Sequence, residues 1–170
     1  MDLKKLVRDV PDFPKPGIIF KDITPLLTTP QAFRQIIDSL VERYRGKALD
    51  VIVGIESRGF IFGSVLAYAL GKSLAIVRKK GKLPHTTVSY TYQLEYGEDT
   101  IELHEDAIPK NSRVLVMDDL LATGGTARAA AHLVEKMGGK VEELAFVIEL
   151  AFLGGRKVLN DYPVFSLIEY

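Results

Sequence analysis

An α/β fold with a central, mainly parallel sheet is what this sequence predicts, and three observations carry it. Short apolar runs recur along the chain, at residues 51–55, 74–77, 114–117, 141–150 and 164–168. Runs of this length between turn residues suit strands buried on both faces. Helix-favouring stretches separate several of them, and alternating strands and helices build parallel sheets. Two of the runs also pass through a turn directly into a helix, and ligands commonly sit at the carboxyl ends of such strands.

The 170 residues predict one domain, 1–170, long enough for a real core. Lys plus Arg equal Asp plus Glu at 22 each, so net charge is zero. That argues against a general nucleic-acid binder, although a local basic cluster still suits a small anion. There are no cysteines, which excludes disulfides and thiolate metal sites and fits a reducing, cytoplasmic setting. No signal peptide is expected after Met1-Asp2-Leu3-Lys4-Lys5, and no apolar run is long enough to span a membrane.

In chain order, residues 3–10 suit one short amphipathic helix. Four prolines in 10–27 forbid a helix there. Within that stretch the residues alone favour a loop that pins Ile18, Ile19 and Phe20 into the core. Thr29 and Pro30 form a helix start. Phe33, Ile36, Ile37, Leu40, Val41 and Tyr44 follow at helical spacing until Gly46. The strand at 51–55 runs into Glu56-Ser57-Arg58-Gly59-Phe60, then a helix over 61–70 closed by Gly71. A plain surface turn and a ligand turn are equally good readings of E-S-R. The strand at 74–77 leads into Arg78-Lys79-Lys80-Gly81-Lys82, either a solvated basic loop or an anion site. From Thr86 to His104, apolar and polar residues alternate around a turn at 96–99, as in a two-stranded ribbon. Such a ribbon is either an edge hairpin or a lid that excludes water. His85, His104 and His132 show no ligand spacing.

The stretch 114–130, V-L-V-M-D-D-L-L-A-T-G-G-T-A-R-A-A, organises the rest. An apolar strand delivers Asp118 and Asp119. The turn Ala122-Thr123-Gly124-Gly125-Thr126 follows, then a helix from Ala127 to Met137 stopped by Gly138-Gly139. A helix N-terminus offers unpaired N–H groups and partial positive charge. The glycines let an anion approach the backbone, and the threonines add donors. The turn lacks the lysine of G-x-x-x-x-G-K-[ST] and is not G-x-G-x-x-G. Two adjacent acids would repel a bare phosphate. A ribose 5-phosphate resolves this, with its phosphate in the turn and its 2′ and 3′ hydroxyls donating to the carboxylates.

The D-D-L-L-A-T-G-G-T stretch resembles the phosphoribosyl-pyrophosphate signature of the type I phosphoribosyltransferases. P-x-P-G-I-I-F-K-D-I at 14–23 and L-E-Y-G at 94–97 are similar to motifs of the adenine-specific branch, and the likeness covers nearly the whole chain. The resemblance implies a sheet flanked by helices, an N-terminal hood at 1–27 and a flexible ribbon lid at 84–105. It implies transfer of the phosphoribosyl group from 5-phosphoribosyl 1-pyrophosphate to adenine, giving AMP and pyrophosphate. Mg²⁺ would be held mainly by substrate and water, and the protein would be a homodimer, with no nucleic-acid or membrane partner.

The resemblance also implies site roles. Asp118 and Asp119 hold the ribose and stabilise positive charge near its ring, and Ala122, Thr123, Gly124, Gly125 and Thr126 hold the phosphate. Glu56, Ser57, Arg58, Arg78, Lys79 and Lys82 serve pyrophosphate, with a cis peptide expected at Glu56-Ser57. Ile19, Phe20, Lys21, Arg58 and Leu121 serve adenine. Glu95 and Tyr96 belong to the lid, and Glu95 either helps the proton on the adenine ring or positions the base. Two rivals remain. One is a 6-oxopurine in place of adenine, against which 149–155 offers no clear base-reading lysine or aspartate. The other is a regulator that senses the sugar, which would need a nucleic-acid-binding part that the chain lacks.

Overall fold

The computed structural model describes residues 1–94 and 97–170, and the chain divides into two compact units, Met1–Arg43 and Tyr44–Tyr170. In the first, the helix expected over 3–10 is only a 3₁₀ turn, Leu3–Leu6, started by the Asp2 side chain accepting from the Lys4 amide at 3.1 Å. The chain then becomes strand β1 (Arg8–Pro11), antiparallel to β2 (Ile19–Asp22). The intervening prolines cannot continue a helix. Asp12 at φ 57° and Gly17 at φ 86° turn the chain back, and the Gly17 amide donates to Asp12 Oδ1 at 2.7 Å. Ile18 and Ile19 are not pinned in a core: they are 44% and 55% exposed. Phe20 is half-buried and meets Phe13 edge-to-face at 5.2 Å. Helices α1 (Thr24–Thr28) and α2 (Pro30–Tyr44) follow, the latter starting at the expected proline and burying Ala32, Ile36, Ile37 and Leu40.

The second unit holds β3 (Val51–Ile55), α3 (Gly59–Leu70), β4 (Ser73–Lys79), β5 (Thr87–Gln93), β6 (Glu98–His104) and β7 (Arg113–Leu121). It continues with α4 (Gly125–Lys136), β8 (Lys140–Glu149), α5 (Gly155–Val158) and β9 (Val164–Glu169). The seven strands form one sheet in the order β5-β6-β4-β3-β7-β8-β9. Pairs β3–β4, β3–β7, β7–β8 and β8–β9 are parallel, and the ribbon β5–β6 adds antiparallel strands at the β4 edge.

Strand alternation sends successive residues to opposite faces. Val51, Val53 and Ile55 join one apolar cluster with Ala127, Ala130, Leu133 and Val134 of α4. On the other face, a Cβ added to Gly63 of α3 would stand 3.4 Å from Gly54 Cα and 3.9 Å from Ile52 Cγ2. The sheet is thus flanked by α3 and α4. Its register aligns Gly54 with Met117 and with Ile76. The turns that leave β3, β4 and β7 therefore share one rim. One expectation fails there: β4 does not stop at 77. Arg78 pairs with Glu102 and Lys79 with Ile101 of β6, so the basic run begins inside the sheet. No helix among the described residues is long and apolar enough to cross a membrane.

Candidate active site

The rim forms a cavity of about 330 Å³. One wall is Glu56, Ser57, Arg58 and Lys79, and the other is the continuous segment 118–127. Each wall follows from local sequence. The apolar residues of β7 bury the strand as far as Met117, and the next two positions carry the acids to its carboxyl end. Gly124 takes φ 86° just before α4 begins, a conformation that glycine reaches without a Cβ penalty. The first amides of α4 have no partner within their own helix and adjoin the cavity. Across the rim, β3 ends in the Glu56-Ser57 peptide, which is cis, as expected.

Asp119 is buried, 3% exposed, and Asp118 beside it is half-buried. The Asp119 amide donates to Asp118 Oδ1 at 2.8 Å. Arg58 Nε lies 2.9 Å from Asp119 Oδ2, an ion pair whose angle does not make it a directed hydrogen bond. Burial, and then the neighbouring Asp119 charge, raises the Asp118 pKa well above the usual carboxylate range. Burial also raises Asp119, and the Arg58 charge offsets only part of it. The pocket floor is thus acidic and poorly hydrated, suited to accepting hydrogen bonds from neutral hydroxyls and to facing positive charge.

The opposite wall is built on Glu56. Lys82 Nζ lies 2.6 Å and Arg78 Nη2 3.4 Å from its Oε1, and the Lys79 amide donates to its Oε2 at 2.8 Å. Burial would raise this carboxyl, but these donors outweigh it and lower it from 4.5 to about 2. Lys79 Nζ pairs with Asp99 of β6. The carboxylates neutralise the cations while holding them beside the cavity, which fits a site for a mobile anion.

Of the residues expected from sequence, Asp118, Asp119, Leu121, Ala122, Thr123, Gly124, Gly125 and Thr126 line this one cavity with Glu56, Ser57, Arg58 and Lys79. Arg78 and Lys82 join through Glu56. Ile19, Phe20 and Lys21 lie on β2 of the first unit. Glu95 and Tyr96 lie outside the described residues.

Sequence reasoning missed two glycines. A Cβ on Gly59 would stand 2.8 Å from the Met117 carbonyl and 2.9 Å from Asp118 Oδ1, so only glycine lets α3 begin against the acids. A Cβ on Gly155 would stand 2.5 Å from the Ala122 carbonyl, and one on Gly124 would stand 2.8 Å from the Gly155 carbonyl. Gly155 is a backstop to the turn 122–126. In the sequence the Gly154-Gly155 pair is the only signal of it, and α5 begins there.

Comparison with known proteins gives the chain a family. A family model described as phosphoribosyl transferase domain matches residues 22–168. An adenine phosphoribosyltransferase of Chloroflexus aurantiacus is 59% identical over 99% of this chain and 98% of its own. The crystal structure of adenine phosphoribosyltransferase from Thermoanaerobacter pseudethanolicus superposes with a TM-score of 0.96 at 51% identity, covering 99% of this chain and 98% of its own. The Saccharomyces cerevisiae enzyme, solved with an imino-altritol bisphosphate and adenine, gives 0.91 at 46% identity, covering 98% and 96%.

Proposed function

The chain belongs to the phosphoribosyl transferase domain family and, within it, to the adenine phosphoribosyltransferases; from that premise we propose how its residues carry the reaction. It transfers the 5-phosphoribosyl group from 5-phosphoribosyl 1-pyrophosphate to adenine, giving AMP and pyrophosphate, the purine salvage step.

In this reading the turn 122–126 holds the 5-phosphate on its amides and threonine hydroxyls. Asp118 and Asp119 accept from the ribose hydroxyls. As the bond from C1 to pyrophosphate breaks, the sugar gains oxocarbenium character, and these carboxylates stabilise the positive charge. Ser57, Arg58 and Lys79, with Arg78 and Lys82 behind them, take the departing pyrophosphate, while a ring nitrogen of adenine forms the new bond to C1. Most of the acceleration comes from alignment and charge stabilisation. For adenine we retain Ile19, Phe20 and Lys21, together with Leu121 and Arg58. Phe20 supplies a flat apolar partner for the base. Glu95, with Tyr96, is retained as the group that handles or positions the base proton.

Among the described residues, no group of three or more acids or histidines could cage a metal. Mg²⁺ would be held mainly by the substrate and water rather than by a protein cage. When bound it would neutralise charge on the leaving group. The homodimer and the cytoplasmic setting remain part of this proposal, the latter suited to charged and polar small-molecule substrates.

One observation carries the reading: the paired acids and the glycine turn line a single cavity whose facing wall is basic. The protein, supplied with 5-phosphoribosyl 1-pyrophosphate, Mg²⁺ and each purine in turn, is expected to form AMP. IMP or GMP alone would reassign the base. Tight binding of the sugar without any product would favour the regulator.

A further inference from the structure

Tyr92 lies on β5, outside the set that lines the cavity, yet it touches the cavity's wall from behind. Its ring edge is 3.9 Å from where a Cβ on Gly125 would stand, at the first turn of α4. Its hydroxyl is 3.0 Å from Thr126 Oγ1 and 3.3 Å from Asp99 Oδ2. The same Asp99 oxygen is paired with Lys79.

We infer that Tyr92 is a positioning residue for the 5-phosphate subsite, setting the direction in which the Thr126 hydroxyl points its single hydrogen. This rests on the reading of turn 122–126 given above. A threonine hydroxyl has one hydrogen and two lone pairs. To donate to a phosphate, its oxygen must take any other bond as an acceptor. Tyr92 is the donor in reach. Its hydrogen has two acceptors, Asp99 Oδ2 at 3.3 Å and Thr126 Oγ1 at 3.0 Å. Once an anion accepts the Thr126 hydrogen, the 3.0 Å contact between the two hydroxyl oxygens is favourable only if the Tyr92 hydrogen turns from Asp99 to Thr126, and Lys79 still pairs with the Asp99 oxygen it leaves. Burial and the Asp99 charge raise the Tyr92 pKa, so the phenol keeps its hydrogen at neutral pH.

The test is Tyr92→Phe, which keeps the ring over Gly125 and removes only the hydroxyl. We expect the KM for 5-phosphoribosyl 1-pyrophosphate and the Kd for ribose 5-phosphate to rise about tenfold, the scale of one lost hydrogen bond to a charged group. The kcat, the KM for adenine and the melting temperature should stay near wild type. In a Thr126→Val background, where no hydroxyl is left to orient, adding Tyr92→Phe should change neither sugar constant. The proposal is overturned if Tyr92→Phe leaves both sugar constants within twofold, if its effect survives undiminished beside Thr126→Val, or if kcat and the adenine KM shift by the same factor. Ribose 5-phosphate binding separates this from the transfer reading, because it reports on Tyr92 even if the wild-type protein makes no AMP.

Discussion

Asp118 and Glu56 face the same cavity with opposite titration behaviour, and each sign has a consequence. The Asp118 pKa is raised, chiefly by burial. Such a group binds its proton more readily in the folded chain, so its contribution to stability is present in acid and is lost as pH rises through the folded value. Above the ordinary carboxylate range the group therefore costs stability. Asp118→Asn keeps an acceptor for the Asp119 amide and removes that cost. It should raise the melting temperature at pH 8 by about 2–4 °C, the shift that ~1 kcal/mol gives a chain of this size, and change it little at pH 4. Turnover should fall at least about a hundredfold, the scale of losing one electrostatic group in an active site. A variant that gains no stability at pH 8 would remove the account of buried strain.

Glu56 runs the other way. Burial opposes its charge, but the Lys82, Lys79 and Arg78 donors prevail and hold it at about 2. Its stabilisation is full above the ordinary value of 4.5 and is lost as pH falls toward 2. Glu56→Gln should thus lower the melting temperature at pH 7, with the gap to wild type closing in acid unfolding between pH 4.5 and 2. The two acids and the glycine turn were legible because they are contiguous in sequence. The role of Glu56 as the organiser of two cations and the Lys79 amide was not, since those partners come from β4 and the turn after it, 22 or more residues further on.

Among the elements, α5 is a single turn of helix, yet it holds Gly155, the backstop of the turn proposed to bind phosphate. Arg156 clamps it to β8 with Nε 2.8 Å from Glu149 Oε1 and Nη2 2.7 Å from Oε2, while Ser166 of β9 donates to the same carboxylate at 2.6 Å. Glu149 is 2% exposed. Arg156→Ala would leave this charge buried with one hydroxyl donor. It should cost about 2–4 kcal/mol in denaturant unfolding, somewhat less than a fully buried pair because Arg156 is half-exposed. Gly155→Ala should instead displace the Ala122 carbonyl and raise the KM for 5-phosphoribosyl 1-pyrophosphate by about tenfold or more, with the KM for adenine less affected. Equal loss for both substrates would show that the turn is not what Gly155 supports.

Apolar runs foretold β3, β7 and β8, because strands buried on both faces leave a continuous apolar trace, and a similar run foretold the half-buried edge strand β9. They could not foretell that β4 extends through Arg78 and Lys79. Those residues are charged, and their place in the sheet comes from pairing with β6 rather than from burial. The expected helix over 3–10 failed for a related reason: Arg8 to Pro11 are held by β2, a partner that no local pattern reveals.

Across the whole molecule, the sheet order places β3 and β7 at the centre and the ribbon β5–β6 at one edge. Amide exchange should follow that order, slowest in β3, β7 and β8 and fastest toward the far end of β5 and β6. Binding of 5-phosphoribosyl 1-pyrophosphate should then slow exchange in β5 through the Tyr92–Thr126 link. If the ribbon already exchanged as slowly as β3, it would be a fixed edge of the sheet and not a lid.

The ribbon is rooted where Lys79 pairs with Ile101, and that join works as a fulcrum. A lever moves most at its free end and least where it is mounted. The amine proposed to receive pyrophosphate is carried at the mounting, so any movement of β5 and β6 would leave that cation in place, ready for the next leaving group.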